Sequence, residues 1–262
     1  MPVIGVLVVV AAYLLWVSGV PNPLVREKLP KKPLGDFIPG DRIIIIGLPL
    51  SGKTYLAAKL TANVPRILYF DPYHDYNEAA GAEEISADSL IENPRVLAKG
   101  SFRYAIIPDE DDIAMQLEEV VSIARAAGNL VLVMDEVGDY KRNAQLVLEK
   151  LARNGRHNGL VPIYVSQVAM DIPRTVRRIA TRVYSFRQED IEDLDALSER
   201  YGEKYAEDVS NLALHRYALW TLTNFGPSTR NPNLDPQRGQ SAPKAPLTKR
   251  PPSSGDGYES GA

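Results

Sequence analysis

The chain has 262 residues, with 30 Lys+Arg against 33 Asp+Glu, 45% apolar residues and 24% charged ones, a balance that excludes wholesale disorder. It has no cysteine and three scattered histidines, His74, His157 and His215, which excludes a disulfide framework, a thiolate nucleophile and a cysteine-based zinc site. Any catalytic metal would need oxygen ligands.

Residues 1–20, MPVIGVLVVVAAYLLWVSGV, carry no charge. As a helix they would reach about 30 Å, the thickness of a bilayer hydrocarbon core, so they are expected to form a single transmembrane helix. The segment lacks the basic n-region and small-residue end of a signal peptide. Arg26, Lys28, Lys31 and Lys32 follow against Glu27 alone, and the positive-inside rule then sets the N-terminus outside and the rest inside. Residues 21–40 contain Pro21, Pro23, Pro30, Pro33 and Pro39 and read as a Pro-rich basic linker.

From about Asp41 the pattern alternates. Short apolar runs at 42–47, 67–71, 104–107, 129–134, 162–166 and 182–187 read as strands. Stretches 53–63, 112–127, 140–153, 189–201 and 203–212 read as helices. Buried strands separated by helices imply an α/β domain, residues 41–225, with a mostly parallel sheet covered by helices on both faces. Residues 226–262 are rich in proline, glycine and serine without apolar periodicity, and are expected to be a disordered tail.

The run IIII leads into Gly47-Leu48-Pro49-Leu50-Ser51-Gly52-Lys53-Thr54, which matches the phosphate-loop pattern GxxxxGK[ST] in full, between a strand and a helix. Gly52 allows the turn, and backbone N–H groups from Gly47 through Tyr55 can wrap phosphates. Lys53 reaches the β/γ oxygens and Thr54 offers a hydroxyl to Mg²⁺. Cofactors ATP and Mg²⁺ follow from this motif. A second buried run, VLVM, ends in Asp135-Glu136. Asp135 is expected to organise the metal and Glu136 to polarise the attacking water. Gln167, at the tip of PIYVS, is placed to hydrogen-bond phosphate or water.

Between Val137 and Gln188 ten basic residues stand against Asp139, Glu149 and Asp171. Three uses compete for this band: contacts to nucleic-acid phosphates, arginines presented to a neighbouring subunit's ATP, or a solvated face. The loop Arg153-Asn-Gly-Arg156-His157-Asn-Gly159, with two glycines, favours a trans-acting arginine at Arg153 or Arg156.

With these pieces in order the chain resembles the HerA/FtsK superfamily of P-loop motors, most of all the genome-packaging ATPases of membrane-containing double-stranded DNA viruses. The resemblance spans roughly residues 41–222 and rests on GLPLSGKT, ILYFDPYHDY, VLVMDE and RNGRHNGLVPIYVSQ. It implies a RecA/FtsK-like P-loop NTPase fold and ATP hydrolysis coupled to DNA translocation. By the same resemblance, Lys53 and Thr54 act as phosphate and metal ligands, Asp135 and Glu136 as the acid pair, Gln167 as a sensor, and Arg153 or Arg156 as a finger. Implied partners are a homo-oligomeric ring, commonly a hexamer, double-stranded DNA, a viral or host membrane through residues 1–20, and viral capsid or membrane proteins. Two other readings stay open: a Zot-like assembly ATPase of filamentous phages, which usually places its span after the ATPase domain, and a conjugative coupling ATPase, which usually carries a larger helical insertion.

Overall fold

A computed structural model describes residues 32–222. The expected transmembrane helix, the first part of the linker and the tail lie outside the described residues. Within them no helix is long and apolar enough to cross a membrane.

One eight-stranded sheet organises the domain. In chain order its strands are β1 (Ile43–Ile46), β2 (Arg66–Phe70), β3 (Glu83–Ser86), β4 (Phe102–Ile107), β5 (Leu130–Met134), β6 (Leu160–Ser166), β7 (Arg182–Phe186) and β8 (Tyr217–Thr221). Their spatial order is β3-β4-β2-β5-β6-β1-β7-β8. Every pairing is parallel except that of β8, which runs antiparallel on β7.

The apolar runs are continuous because both faces of the sheet are covered. Side chains alternate along a strand, so Ile44, Ile46, Leu68, Phe70, Leu132 and Met134 enter one core while Ile43, Ile45, Ile67, Tyr69, Val131 and Val133 enter the other. The helices α3 (Ala87–Glu92), α4 (Ile113–Ala127), α5 (Val137–Asn154), α6 (Arg174–Ile179), α7 (Ile191–Tyr201) and α8 (Glu203–Ser210) supply the first core. The second is covered by α1 (Lys53–Leu60), α2 (Asp75–Ala80) and two residues of the segment read as linker, Leu34 and Phe37, both buried.

Arg66 opens β2 and is fully buried. Its guanidinium donates to the carbonyls of Lys99, Ala127, Gly128 and Asn129 and lies 4.7 Å from the Phe102 ring centroid. Its charge thus meets the carbonyl end of α4, where cations are favoured. Burial lowers its pKa from the ordinary arginine value.

The short helices α2, α3 and α6 and the edge strand β3 are elements beyond those read from the sequence. α5 also begins at Val137, three residues before the expected start, because Val137 and Tyr140 already pack into the core.

Candidate nucleotide site

Because β1, β2, β5, β6 and β7 are parallel, the residues that follow them emerge at one edge of the sheet. This is the edge where open parallel sheets place ligands. After β1 comes the phosphate loop, after β2 Asp71, after β5 the acid pair, after β6 Gln167 and after β7 Gln188.

The loop is packed from below. Gly47 donates its N–H to the Ser166 carbonyl at 3.2 Å. A Cβ at Gly47 would stand 2.6 Å from Phe186 Cβ and 2.6 Å from Ser51 Oγ, so only glycine fits. Gly52 has φ 105°, a left-handed conformation that glycine adopts without a side-chain penalty. The loop crest is exposed at Leu48, Pro49 and Leu50. Thr54 is half-buried in the first turn of α1 and the Tyr55 side chain is exposed.

Lys53 is buried, donates to the Leu48 carbonyl at 3.3 Å, and lies 3.9 Å from Glu136 Oε1. Gln167 Nε2 approaches the same Glu136 oxygen at 3.4 Å. Glu136 has φ 45° at the start of α5, a left-handed conformation uncommon for a residue with a Cβ. Burial raises its pKa, opposed by Lys53 and then by the Gln167 hydrogen bond. Asp135 is almost fully buried; it accepts the Glu136 N–H at 2.8 Å, and desolvation pushes its pKa up to about 7. The Tyr76 hydroxyl is buried beside this carboxyl without a hydrogen bond of good geometry. The structure therefore brings Lys53, Asp135, Glu136 and Gln167 to one place, beside Thr54 on α1.

Arg153 and Arg156 are not part of this cluster. Arg153 lies in the last turn of α5, an 18-residue helix about 27 Å long that begins beside Glu136, and Arg156 follows in the next turn. Arg153 is exposed and reaches Glu149 at 3.4 Å and Thr175 at 3.3 Å. Neither arginine is near the Lys53–Glu136 cluster of the same chain. Part of the basic band is paired with acids: Lys141 with Asp171, Arg174 with Glu199, Arg182 with Asp41 and Arg187 with Glu189.

Several residues join the site without a motif of their own in the sequence. Gln188, almost fully buried, donates to the Gln167 carbonyl at 3.0 Å and so holds the residue that approaches Glu136; its Oε1 has no partner. Its only signal is a glutamine just past a strand, as at Gln167. Asp171 sits against Gly138, where a Cβ would lie 2.5 Å from its Oδ2, and is tied to Lys141 at 2.7 Å. Asp71 accepts the N–H groups of Asp75 and Tyr76 at 3.1 and 2.9 Å, which fixes the start of α2. His215, just before β8, places its Nδ1 3.2 Å from the Ser51 carbonyl.

The arrangement fits a nucleoside triphosphate with Mg²⁺. Ser51 Oγ is buried in the loop without a hydrogen-bond partner, and the Lys53 ammonium lies inside the cradle. The donors available to a metal here would be one hydroxyl, Thr54, and one carboxylate, Asp135, a sparse set that fits Mg²⁺, which also takes phosphate and water oxygens. Among the described residues no group of three or more acids and histidines could hold a metal by itself.

No protein-family model and no curated protein matches this sequence. Solved structures do match. The genome packaging NTPase B204 of Sulfolobus turreted icosahedral virus 2 with ATP-gammaS aligns at TM-score 0.56 and 19% identity, over 70% of this chain and 93% of that one. The same protein with AMPPCP gives 0.55 and 20%, over 70% and 93%. B204 described as the DNA-packaging ATPase of Sulfolobus turreted icosahedral virus gives 0.54 and 19%, over 71% and 94%. At such identity the likeness concerns the backbone: this chain has the P-loop NTPase fold seen in the viral genome packaging NTPase B204.

Proposed function

We propose that the protein hydrolyses ATP and couples the reaction to movement of double-stranded DNA, as a membrane-anchored motor that packages a viral genome. The observation that carries the ATPase reading is the Glu136 carboxylate, set between the Lys53 ammonium at 3.9 Å and the Gln167 amide at 3.4 Å. A carboxylate there can take a proton from water attacking the γ-phosphate, while Gln167 orients that water. Lys53 and the loop N–H groups hold the phosphate oxygens. Mg²⁺ held by Thr54 and Asp135 would neutralise charge developing on the phosphates.

DNA as the driven polymer is supported by the shared fold with B204, a DNA-packaging ATPase by its description, and by the basic residues beyond the site. The membrane anchor is supported by the uncharged residues 1–20 and the basic stretch after them. A homo-oligomeric ring is supported by the position of Arg153 and Arg156 at the far end of α5 from Glu136, where a neighbouring subunit's nucleotide could use them.

Steady-state ATPase assays with and without duplex DNA test the proposal. Glu136→Gln is expected to lower kcat on the order of 10²- to 10⁴-fold while ATP still binds, and Lys53→Ala to lose binding. Unchanged turnover in Glu136→Gln would remove the catalytic assignment. Wild-type hydrolysis indifferent to DNA at any salt would remove the translocase.

A further inference from the structure

A basic cavity between α6 and α7 has no role in the nucleotide site. It encloses about 240 Å³ and is lined by Arg174, Arg177, Arg178, Ala196, Glu199 and Arg200. It lies toward the amino ends of the strands, because α6 leads directly into β7 and the N–H groups of Thr181 and Arg182 point to the Arg42 carbonyl before β1. The phosphate loop occupies the opposite edge.

Four arginines and one glutamate line this cavity. Arg177 is fixed in the wall by bonds to the Ala169 and Ile172 carbonyls at 2.8 and 2.9 Å. Arg200 donates to the Arg178 carbonyl at 2.5 Å, and its guanidinium lies 6.0 Å from the Trp220 ring centroid. Arg174 pairs with Glu199 at 3.0 Å, with both side chains largely exposed. The Arg178 side chain is exposed and makes no hydrogen bond or ion pair among the described residues. Like charges gathered in this way repel unless an anion joins them, and a guanidinium fork matches phosphate oxygens.

The row is also extended. Arg174 and Arg178 stand one turn apart on α6, and Arg153 reaches Thr175 beside them. A line of arginines suits a polymer with repeated phosphates better than a lone ion.

We propose that this cavity is a second phosphate-binding site, remote from the phosphate loop, and that its occupant is the phosphodiester backbone of duplex nucleic acid. The oxyanion chemistry stands on the cavity itself; the identity of the polymer rests on the translocase reading.

The test uses the full-length chain and a fluorescently labelled 20-base-pair duplex, with binding followed by anisotropy across a salt series. Arg174→Gln/Arg178→Gln is expected to flatten the slope of log K against log salt by about 1.8, roughly 0.9 for each phosphate no longer neutralised. Arg174→Lys/Arg178→Lys should restore most of that slope, since charge rather than fork geometry releases counterions. Glu199→Gln frees Arg174 and should tighten binding roughly threefold. Binding of a fluorescent ATP analogue should be the same in all variants. If the double glutamine variant melts early, Arg178→Gln alone, whose side chain has no partner to lose, carries the comparison at half the slope change.

A wild-type slope in the glutamine variants would overturn the site and leave the translocase reading standing. Absence of duplex binding by the wild type at low salt would overturn the polymer as occupant and the translocase reading with it. Calorimetric titration of Lys53→Ala protein with pyrophosphate then decides the rest. A heat signal abolished by the arginine substitutions upholds an oxyanion site for a small phosphate ligand, and no signal overturns the site altogether.

Discussion

Replacing Gly47 with alanine tests whether the phosphate loop is held in place by the packing beneath it. The new methyl would stand 2.6 Å from Phe186 Cβ and 3.1 Å from Phe186 Cδ2. Carbon atoms settle at about 3.5–4.0 Å, so the overlap with the Cβ is about 1 Å. Ser51 Oγ, also at 2.6 Å, can turn away about its own bond, whereas Phe186 Cβ is tied to the backbone of β7. The loop must therefore move. Overpacking of this kind costs about 1–3 kcal/mol. In a domain of this size each kcal/mol lowers the melting temperature by roughly 2–4 °C. A loop displaced by about 1 Å no longer aims its N–H groups at phosphate oxygens, and ATP affinity should fall at least roughly tenfold. Thermal melting and titration with a fluorescent ATP analogue measure both effects. Adding Phe186→Ala keeps the offending Cβ and should not restore binding. Gly47→Ala protein that melts within about 1 °C of wild type and binds nucleotide normally would refute the reasoning. Rescue by Phe186→Ala would place the clash on the ring instead.

Three further outcomes follow from single contacts. Gln188→Leu removes the donor that holds the Gln167 carbonyl together with an orphaned oxygen, so stability should change little while kcat drops roughly tenfold at constant KM; a change confined to KM would contradict a positioning role. Arg66→Met deprives four carbonyls of their donor and should cost about 3 kcal/mol in urea unfolding, with ATP affinity unchanged in the folded protein. Asp190→Ala removes the acceptor for the Glu192 and Asp193 N–H groups at the start of α7 and should cost about 1 kcal/mol by the same measurement, with a cost near zero rejecting the cap.

The parts of the fold legible in the sequence are those with the simplest physics. β1, β2 and β5 are apolar on both faces and could hardly be anything but buried strands. β3, with the sequence EEIS, is an edge strand whose glutamates face water, so its alternation carries no apolar signal. The helices α2, α3 and α6 have six residues each, too few for a 3.6-residue period to show. The phosphate loop is legible because its function is local: one continuous stretch supplies the turn, the N–H groups and the lysine. Gln188 and Asp171 are not, because each matters through residues distant in the chain, the Gln167 carbonyl and Gly138. The amino ends of the sheet hide the arginine cavity for a similar reason. Its residues come from two helices more than a dozen positions apart, and in sequence they read only as a diffuse excess of charge.

α5 joins Glu136, held in a left-handed conformation at one end, to Arg153 at the other. Its intact ladder of hydrogen bonds makes it a strut: it resists shortening, and its buried face leaves it little room to bend. An axial push at the acid end, when a phosphate arrives or departs, would therefore be delivered at the arginine end with nearly its full amplitude. The same geometry works in reverse. If the proposed function holds, a neighbour or a polymer that pulls on Arg153 would load Glu136, so force on the far face and chemistry at the near edge would share one lever arm.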